Sequence, residues 1–250
     1  MGWMHTARFL TTAAQLHHLP PIDVPEIAFV GRSNAGKSTC INTLTQQKQL
    51  AFASKKPGRT QHINLFSLGK QGVTDAVLTD LPGYGYAAVP KQDKIRWQQV
   101  MANYLEIRRS LSGVVQMIDS RHGFTELDRQ LLEFVAPRVR NGEVKLLVLL
   151  TKSDKLNRKE STEALRNAQE VLGELSTDDS DISVTLFSAL KKVGVSDVAE
   201  ILKSWAATPE LAQAVAAAHR EAAAARDAEP PYRDDDDEEG PDDELNPAGA

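Results

Sequence analysis

Strand-like apolar runs recur along this chain at 27–30, 63–68, 76–79, 114–118, 146–150 and 184–187. Between most of them, apolar positions return with a helical period, over 37–46, 91–109, 125–139, 159–173 and 195–205. Alternating strands and helices predict an α/β fold, a sheet buried on both faces by helices. The run Leu146 to Leu150 is apolar throughout, as a strand covered on both sides should be. A short gap punctuated by Gly69 and Gly72 separates 63–68 from 76–79. That spacing suits a hairpin, so the sheet is expected to be mixed and mostly parallel. Trp97, Val100, Met101 and Tyr104 share one helical face and read as core.

What lies outside this pattern sets the boundaries. Residues 1–22 end in Leu19-Pro20-Pro21 and read as an N-terminal arm, either packed on the domain or mobile. A domain over 23–207 holds all the runs. Residues 208–225 are rich in alanine, and Pro209 suits the first turn of a helix. Residues 226–250 hold eleven Asp or Glu against two Arg, with several prolines. Such a segment cannot bury enough apolar surface to order itself. It reads as a disordered acidic tail, either solubilising or an RNA mimic that covers a basic face.

Composition narrows the class without choosing a function. A chain of 250 residues, 41% hydrophobic and 25% charged, suits a soluble globular domain. No stretch reaches the ~18 uninterrupted apolar residues of a membrane span. The first twenty residues lack the apolar centre of a secretory signal. Cys40 is the single cysteine, which excludes an internal disulfide and fits a reducing compartment; it reads as a small buried residue. No membrane partner and a cytoplasmic site are therefore expected. The net charge of −5 divides unevenly, with −9 on residues 226–250 and +4 on the rest. A mildly basic domain is compatible with an RNA-rich partner. The six histidines show no metal spacing with cysteine or each other.

The chemistry lies at the ends of the apolar runs. Gly31-Arg32-Ser33-Asn34-Ala35-Gly36-Lys37-Ser38-Thr39 follows Ile27 to Val30 and fits the phosphate-loop spacing G-x-x-x-x-G-K-[ST] in its required place after a strand. Glycine lets backbone N–H groups close on phosphates, and a helix starting near Lys37 adds its positive end. Lys37 would meet the β/γ oxygens and Ser38 would ligate Mg²⁺. Asp80-Leu81-Pro82-Gly83 follows the run 76–79; Asp80 could hold the ion through water, and the Gly83 N–H could reach the γ-phosphate. Thr151-Lys152-Ser153-Asp154 follows the run 146–150. Guanine presents N1–H and N2–H₂ on one edge, and the Asp154 carboxylate can accept both. Adenine lacks that pair and would leave the carboxylate unmatched, a loss on the order of 10⁴-fold. Lys152 would lie along the base through its aliphatic stem. Ser188-Ala189-Leu190 follows the last run, where backbone N–H groups could meet guanine O6, and Phe187 at the end of that run belongs to the same nucleotide site. All four segments sit where open α/β sheets bind ligands, past the carboxyl ends of strands.

In this order the segments resemble TRAFAC-class GTPases, members of the P-loop NTPases, and closely the EngB (YihA/YsxC) family of bacterial ribosome-assembly GTP-binding proteins. Lys56-Pro57-Gly58-Arg59-Thr60-Gln61 and Asp80-Leu81-Pro82-Gly83-Tyr84-Gly85-Tyr86-Ala87 carry the likeness further, which spans about residues 5–205. The resemblance implies hydrolysis of GTP to GDP, a switch between nucleotide states, and a precursor of the large ribosomal subunit with its rRNA as partner. It also implies a link to septation. An effector that is a cell-division protein rather than RNA is the alternative. A monomer is expected.

Two segments would respond to the γ-phosphate. In 51–60, Thr60 is the expected second side-chain Mg²⁺ ligand, and Lys55, Lys56 and Arg59 either contact RNA phosphates or form a solvated face. In 83–93, Tyr84 stands where Ras-like enzymes place a water-orienting glutamine. A phenol cannot reproduce the amide's donor–acceptor pair, so either intrinsic hydrolysis is slow or the water is positioned otherwise. Potassium-activated GTPases carry asparagine at the position of Asn34, which implies a K⁺ ion beside the phosphates; alternatively Asn34 only supports a tight turn. Lys37, Thr60, Gly83 and Asn34 are the residues assigned to the reaction. Thr151 replaces a usual asparagine that bridges to the phosphate loop, so base affinity is expected to be modest.

Overall fold

The computed structural model describes residues 2–51, 62–70, 72–85 and 91–206, with backbone alone over 91–98. The assignments to Pro57, Gly58, Arg59 and Thr60, and the segments 208–225 and 226–250, lie outside the described residues. Trp97 belongs to a described helix, but its side chain is not described.

Among the described residues seven strands form one sheet in the order β1-β3-β4-β2-β5-β6-β7. They are β1 (Arg8–Ala13), β2 (Glu26–Gly31), β3 (Ile63–Leu68), β4 (Ala76–Asp80), β5 (Leu111–Asp119), β6 (Lys145–Thr151) and β7 (Ile182–Leu186). β4, β2, β5, β6 and β7 run parallel, while β3 is antiparallel to both β1 and β4. The mixed, mostly parallel sheet expected from the apolar runs is present, with β3 and β4 as the hairpin.

Among the described residues five α-helices cover it: α1 (Lys37–Thr45), α2 (Lys91–Ile107), α3 (Glu126–Arg140), α4 (Arg158–Gly173) and α5 (Val195–Ala206). Strand alternation decides which face each helix meets. In β2, Ala28 and Val30 point into a cluster with Tyr104 of α2, Leu131 of α3 and Leu172 of α4. Ile27 and Phe29 point the other way, into a cluster with Ile41 of α1 and Leu202 of α5. The same alternation divides Leu146, Val148 and Leu150 of β6 from Leu147 and Leu149. Trp205 of α5 lies so close to β5 that a Cβ on Gly113 would come within 2.4 Å of its ring. Cys40 is fully buried.

Of the two alternatives for the arm 1–22, packed on the domain or mobile, its residues 8–13 take the packed one, as a strand. Residues Arg8–Ala13 form the edge strand of the sheet, paired antiparallel with β3 from Arg8↔Ser67 to Ala13↔Ile63. Further ties come from Gln47 Nε2, which donates to the Ala7 carbonyl at 2.7 Å, and from Gly69 N–H, which donates to Thr6 Oγ1 at 2.9 Å. The strand escapes a search for apolar runs because its register shifts between Phe9 and Thr11, and most of its side chains are exposed.

Candidate functional site

β2 ends at Gly31, and the chain turns through 32–36 before α1 begins at Lys37. Asn34 (φ 66°) and Gly36 (φ 99°) take left-handed backbone conformations to make that turn. The Ala35 N–H returns to the Arg32 carbonyl at 3.0 Å, and the Cys40 N–H makes the first helical bond to the Gly36 carbonyl at 2.8 Å. The N–H groups of Gly36, Lys37, Ser38 and Thr39 meet no acceptor among the described residues, and the first turn of α1 holds no acid. Several unanswered donors at a helix N-terminus make a cradle for an anion. The Lys37 side chain folds back over the loop, its Nζ donating to the Gly31 carbonyl at 3.0 Å. Burial lowers its pKa from the usual lysine value, and the charge of Asp80 opposes the shift.

Asp80 ends β4 with 1% exposure. Ser38 Oγ donates to its Oδ2 at 3.0 Å, while Oδ1 is buried without a hydrogen-bond partner. Burial raises the Asp80 pKa, against the pull of Lys37 and the Ser38 hydroxyl. A hydroxyl beside a carboxylate with an unanswered oxygen fits a hydrated hard dication completed by phosphate oxygens. Beyond Asp80, Leu81 turns into the core cluster. Gly83 lies directly against the phosphate loop: a Cβ there would stand 2.9 Å from Ser33 Cα and 3.0 Å from Lys37 Nζ.

The loops after β6 and β7 build the other end of the site. Thr151 Oγ1 shares its proton between the carbonyls of Ala35, at 2.9 Å, and Ile118, at 3.1 Å. The threonine thus makes the bridge to the phosphate loop with a single hydroxyl. Lys152, at φ 57°, reaches back with Nζ to the Asn34 carbonyl at 2.9 Å. Ser153 N–H donates to the Phe187 carbonyl at 3.2 Å and joins the two loops. Asp154 is held from Ser188 Oγ, which donates to Oδ1 at 2.6 Å. That hydroxyl, together with Lys155 at 3.6 Å, keeps the Asp154 pKa below the ordinary carboxylate value despite some burial. The Ser188 N–H is committed to the Val193 carbonyl at 3.1 Å, which removes it from the donors expected to face a base. The Ala189 N–H meets no acceptor among the described residues.

Tyr84 sits against the phosphate loop at the start of the segment expected to respond to γ-phosphate. Its carbonyl accepts the Ser33 N–H at 2.8 Å, and its phenol is buried, donating to Asp128 Oδ1 at 2.7 Å. Asp128 also answers Thr125 N–H and Oγ1 with its other oxygen, at 2.8 and 2.6 Å, closing the capping box of α3. The Arg32 side chain runs beside Gly85, with Nε buried and unpaired.

Two acids at this end escaped the motif search. Asp128 looks like an ordinary helix-start residue, and Asp119 like the polar end of a strand. Asp119 is nonetheless legible by position, since it closes β5 beside β2 at the carboxyl edge of the sheet. Its carboxylate takes Arg121 Nε at 2.9 Å, Arg121 NH2 at 2.7 Å and Lys152 Nζ at 2.8 Å. Burial pushes its pKa up, but these donors outweigh it and hold the carboxyl far below the usual range. Among the described residues no helix is long and apolar enough to cross a membrane.

A family model described as 50S ribosome-binding GTPase matches residues 26–172. The probable GTP-binding protein EngB of Albidiferax ferrireducens is 69% identical over 206 residues, covering 82% of this chain and 96% of that protein. Its counterpart from Acidovorax ebreus is 68% identical over 206 residues, covering 82% and 91%. Among solved structures, a probable GTP-binding protein EngB shares the fold with a TM-score of 0.55 at 20% identity, over 72% of this chain and 98% of that one. A variant of Aquifex aeolicus Era bound to GDP.AlF4⁻ does so with a TM-score of 0.58 at 22% identity, over 74% and 57%.

Proposed function

The chain belongs to the EngB family of GTP-hydrolysing proteins, and from that premise we propose that it is a Mg²⁺-dependent nucleotide switch acting on a precursor of the large ribosomal subunit. The description of the matching family model, a 50S ribosome-binding GTPase, supports the choice of partner. The geometry supports the chemistry through one juxtaposition: an open cradle of N–H groups at 36–39 with Lys37, tied by Thr151 and Lys152 to a loop whose carboxylate is already fixed.

In this reading the N–H groups of 36–39 and the Lys37 ammonium take the β- and γ-phosphates. Ser38, and Asp80 through water, would hold Mg²⁺, which would supply positive charge against what develops on the phosphate oxygens during transfer. The unanswered Asp80 Oδ1 fits that role. Asp154 accepts N1–H and N2–H₂ of guanine, and Ala189 offers its N–H to O6. The Gly83 N–H approaches the γ-phosphate from beside Lys37. Because the Tyr84 hydroxyl is engaged by Asp128, it does not orient the attacking water, which accords with slow intrinsic turnover. Asn34, exposed and with a side chain that makes no hydrogen bond among the described residues, is the candidate ligand for a stimulating K⁺. Thr60 completes the Mg²⁺ shell when γ-phosphate orders 51–60. The place of action is the cytoplasm.

The test is co-sedimentation of the protein with precursor large subunits, in GDP and in a non-hydrolysable GTP analogue, before and after nuclease treatment. Association confined to the analogue and lost with the RNA is expected. Retention of a protein partner after nuclease, with no ribosomal particle, would instead favour an effector in cell division. Hydrolysis measured on the same particles should be faster in K⁺ than in matched Na⁺ buffer.

A further inference from the structure

Lys152 has an unusual task in the base-binding loop. Its backbone is left-handed (φ 57°), and its ammonium spans two elements at once. One donor goes to the Asn34 carbonyl at 2.9 Å, in the turn of the phosphate loop, and another to Asp119 Oδ2 at 2.8 Å, at the end of β5. A lysine side chain has four rotatable bonds and loses much of its freedom when fixed. A carbonyl alone is a neutral acceptor, so the charged anchor that fixes Lys152 is Asp119.

Asp119 is itself clamped. Arg121 grips both carboxylate oxygens, with Nε at 2.9 Å from Oδ1 and NH2 at 2.7 Å from Oδ2, and its own N–H reaches Oδ1 at 3.2 Å. A two-pronged guanidinium sets the plane of the carboxylate and not only its charge. The second oxygen is thereby aimed at Lys152. Across the strand pair, Asp119 faces Thr151, the residue before the lysine. The charged members are partly shielded, with side-chain exposures of 16% for Asp119 and 34% for Lys152.

We propose that Asp119 is a positioning residue for guanine nucleotide binding: through Lys152 it holds the base-binding loop and the Asn34 turn in their bound arrangement before nucleotide arrives. This rests on the reading of the site as a guanine-nucleotide pocket. Preorganisation lowers the ordering cost of binding, so its loss appears mainly as faster release. Asp119 makes no contact with the groups that choose the base, which belong to Asp154. Its loss therefore weakens GDP binding by loosening the loop, while Asp154, held by Ser188, still favours GDP over ADP.

The experiment is calorimetry or stopped-flow with GDP and ADP on the full chain and the variants Asp119→Ala, Asp119→Asn, Lys152→Ala and Asp119→Ala/Lys152→Ala, each first checked for a wild-type melting profile. Asp119→Ala should raise the Kd for GDP roughly three- to fivefold, chiefly through the off-rate, as expected for a partly shielded ion pair. Asp119→Asn, which keeps an oxygen acceptor, should recover part of that. In the Lys152→Ala background, Asp119→Ala should add less than about twofold, because the two share one interaction. An unchanged Kd in Asp119→Ala, or an equal loss in both backgrounds, overturns the proposal. A wild-type chain that takes up no guanine nucleotide overturns the reading of the pocket itself. If Asp119→Ala alone failed to fold, Asp119→Asn and Arg121→Ala would carry the same comparison, with Arg121→Ala expected to fall between wild type and Lys152→Ala.

Discussion

Tyr84 and Asp154 show how one hydrogen bond can settle the use of a side chain. Tyr84 occupies a catalytic position in the resemblance, yet its hydroxyl serves the N-terminus of α3 and its carbonyl serves the phosphate loop. It therefore acts as an anchor at the start of the second switch. Asp154 is the converse case, a carboxylate kept ionised for a ligand. The Ser188 hydroxyl lowers its pKa, so the charged form exists above that lowered value and disappears only as pH falls through it, below the usual ~3.9 of aspartate. The preference for GDP over ADP should thus stay constant from pH 8 down to about pH 5. Measuring both dissociation constants across that range checks this. A preference that fades above pH 5 would mean that another group limits base recognition. Ser188→Ala removes the donor and should weaken the preference at every pH in the range.

At the scale of elements, α2 begins in the segment proposed as the second switch, and its far end is fixed by a buried acid. Glu26, fully buried at the start of β2, accepts from Thr79 Oγ1 at 2.7 Å, Arg108 Nε at 2.8 Å, Ser110 Oγ at 2.6 Å and the Tyr104 hydroxyl. Arg108 in turn donates to the Pro20 carbonyl at 3.0 Å, drawing the N-terminal segment into the same knot. Removing the carboxylate leaves a shielded guanidinium and three donors unanswered. Glu26→Ala should therefore cost about 3–5 kcal/mol in urea unfolding. GDP affinity should change little, since Glu26 lies some 16 Å along β2 from the phosphate loop, roughly 3.3 Å per residue. A loss below about 1 kcal/mol would mean that the network is not an anchor. None of this was legible in the sequence, where a glutamate before an apolar run looks like a solvated strand end. β1 was hidden in the same way, and Asp119 was marked only by its place at the end of an apolar run. A bulged edge strand carries no clean alternation, and a single acid has no motif until the fold supplies its partners. What could be read was whatever local chemistry demands in fixed order: six of the seven strands by their apolar runs, and the phosphate and base loops by glycine, lysine and aspartate spacing.

For the whole molecule the governing quantity is charge at long range. Residues 226–250 hold −9 of a total of −5, so the chain without them is cationic at +4. An RNA-rich partner carries a dense phosphate charge, and the acidic segment repels it or competes for the same basic surface. In either case the effect is electrostatic and falls within about 10 Å at 0.1 M salt. Deleting 226–250 should therefore tighten binding to ribosomal RNA or precursor particles at low salt. It should also steepen the dependence of log K on log salt, and the two proteins should converge at high salt. Filter binding across several salt concentrations, with nucleotide held constant, reads all three. Equal affinities at every salt would leave the segment without a part in RNA binding. A constant offset that ignores salt would point to a contact of a different kind, made by side chains rather than by net charge.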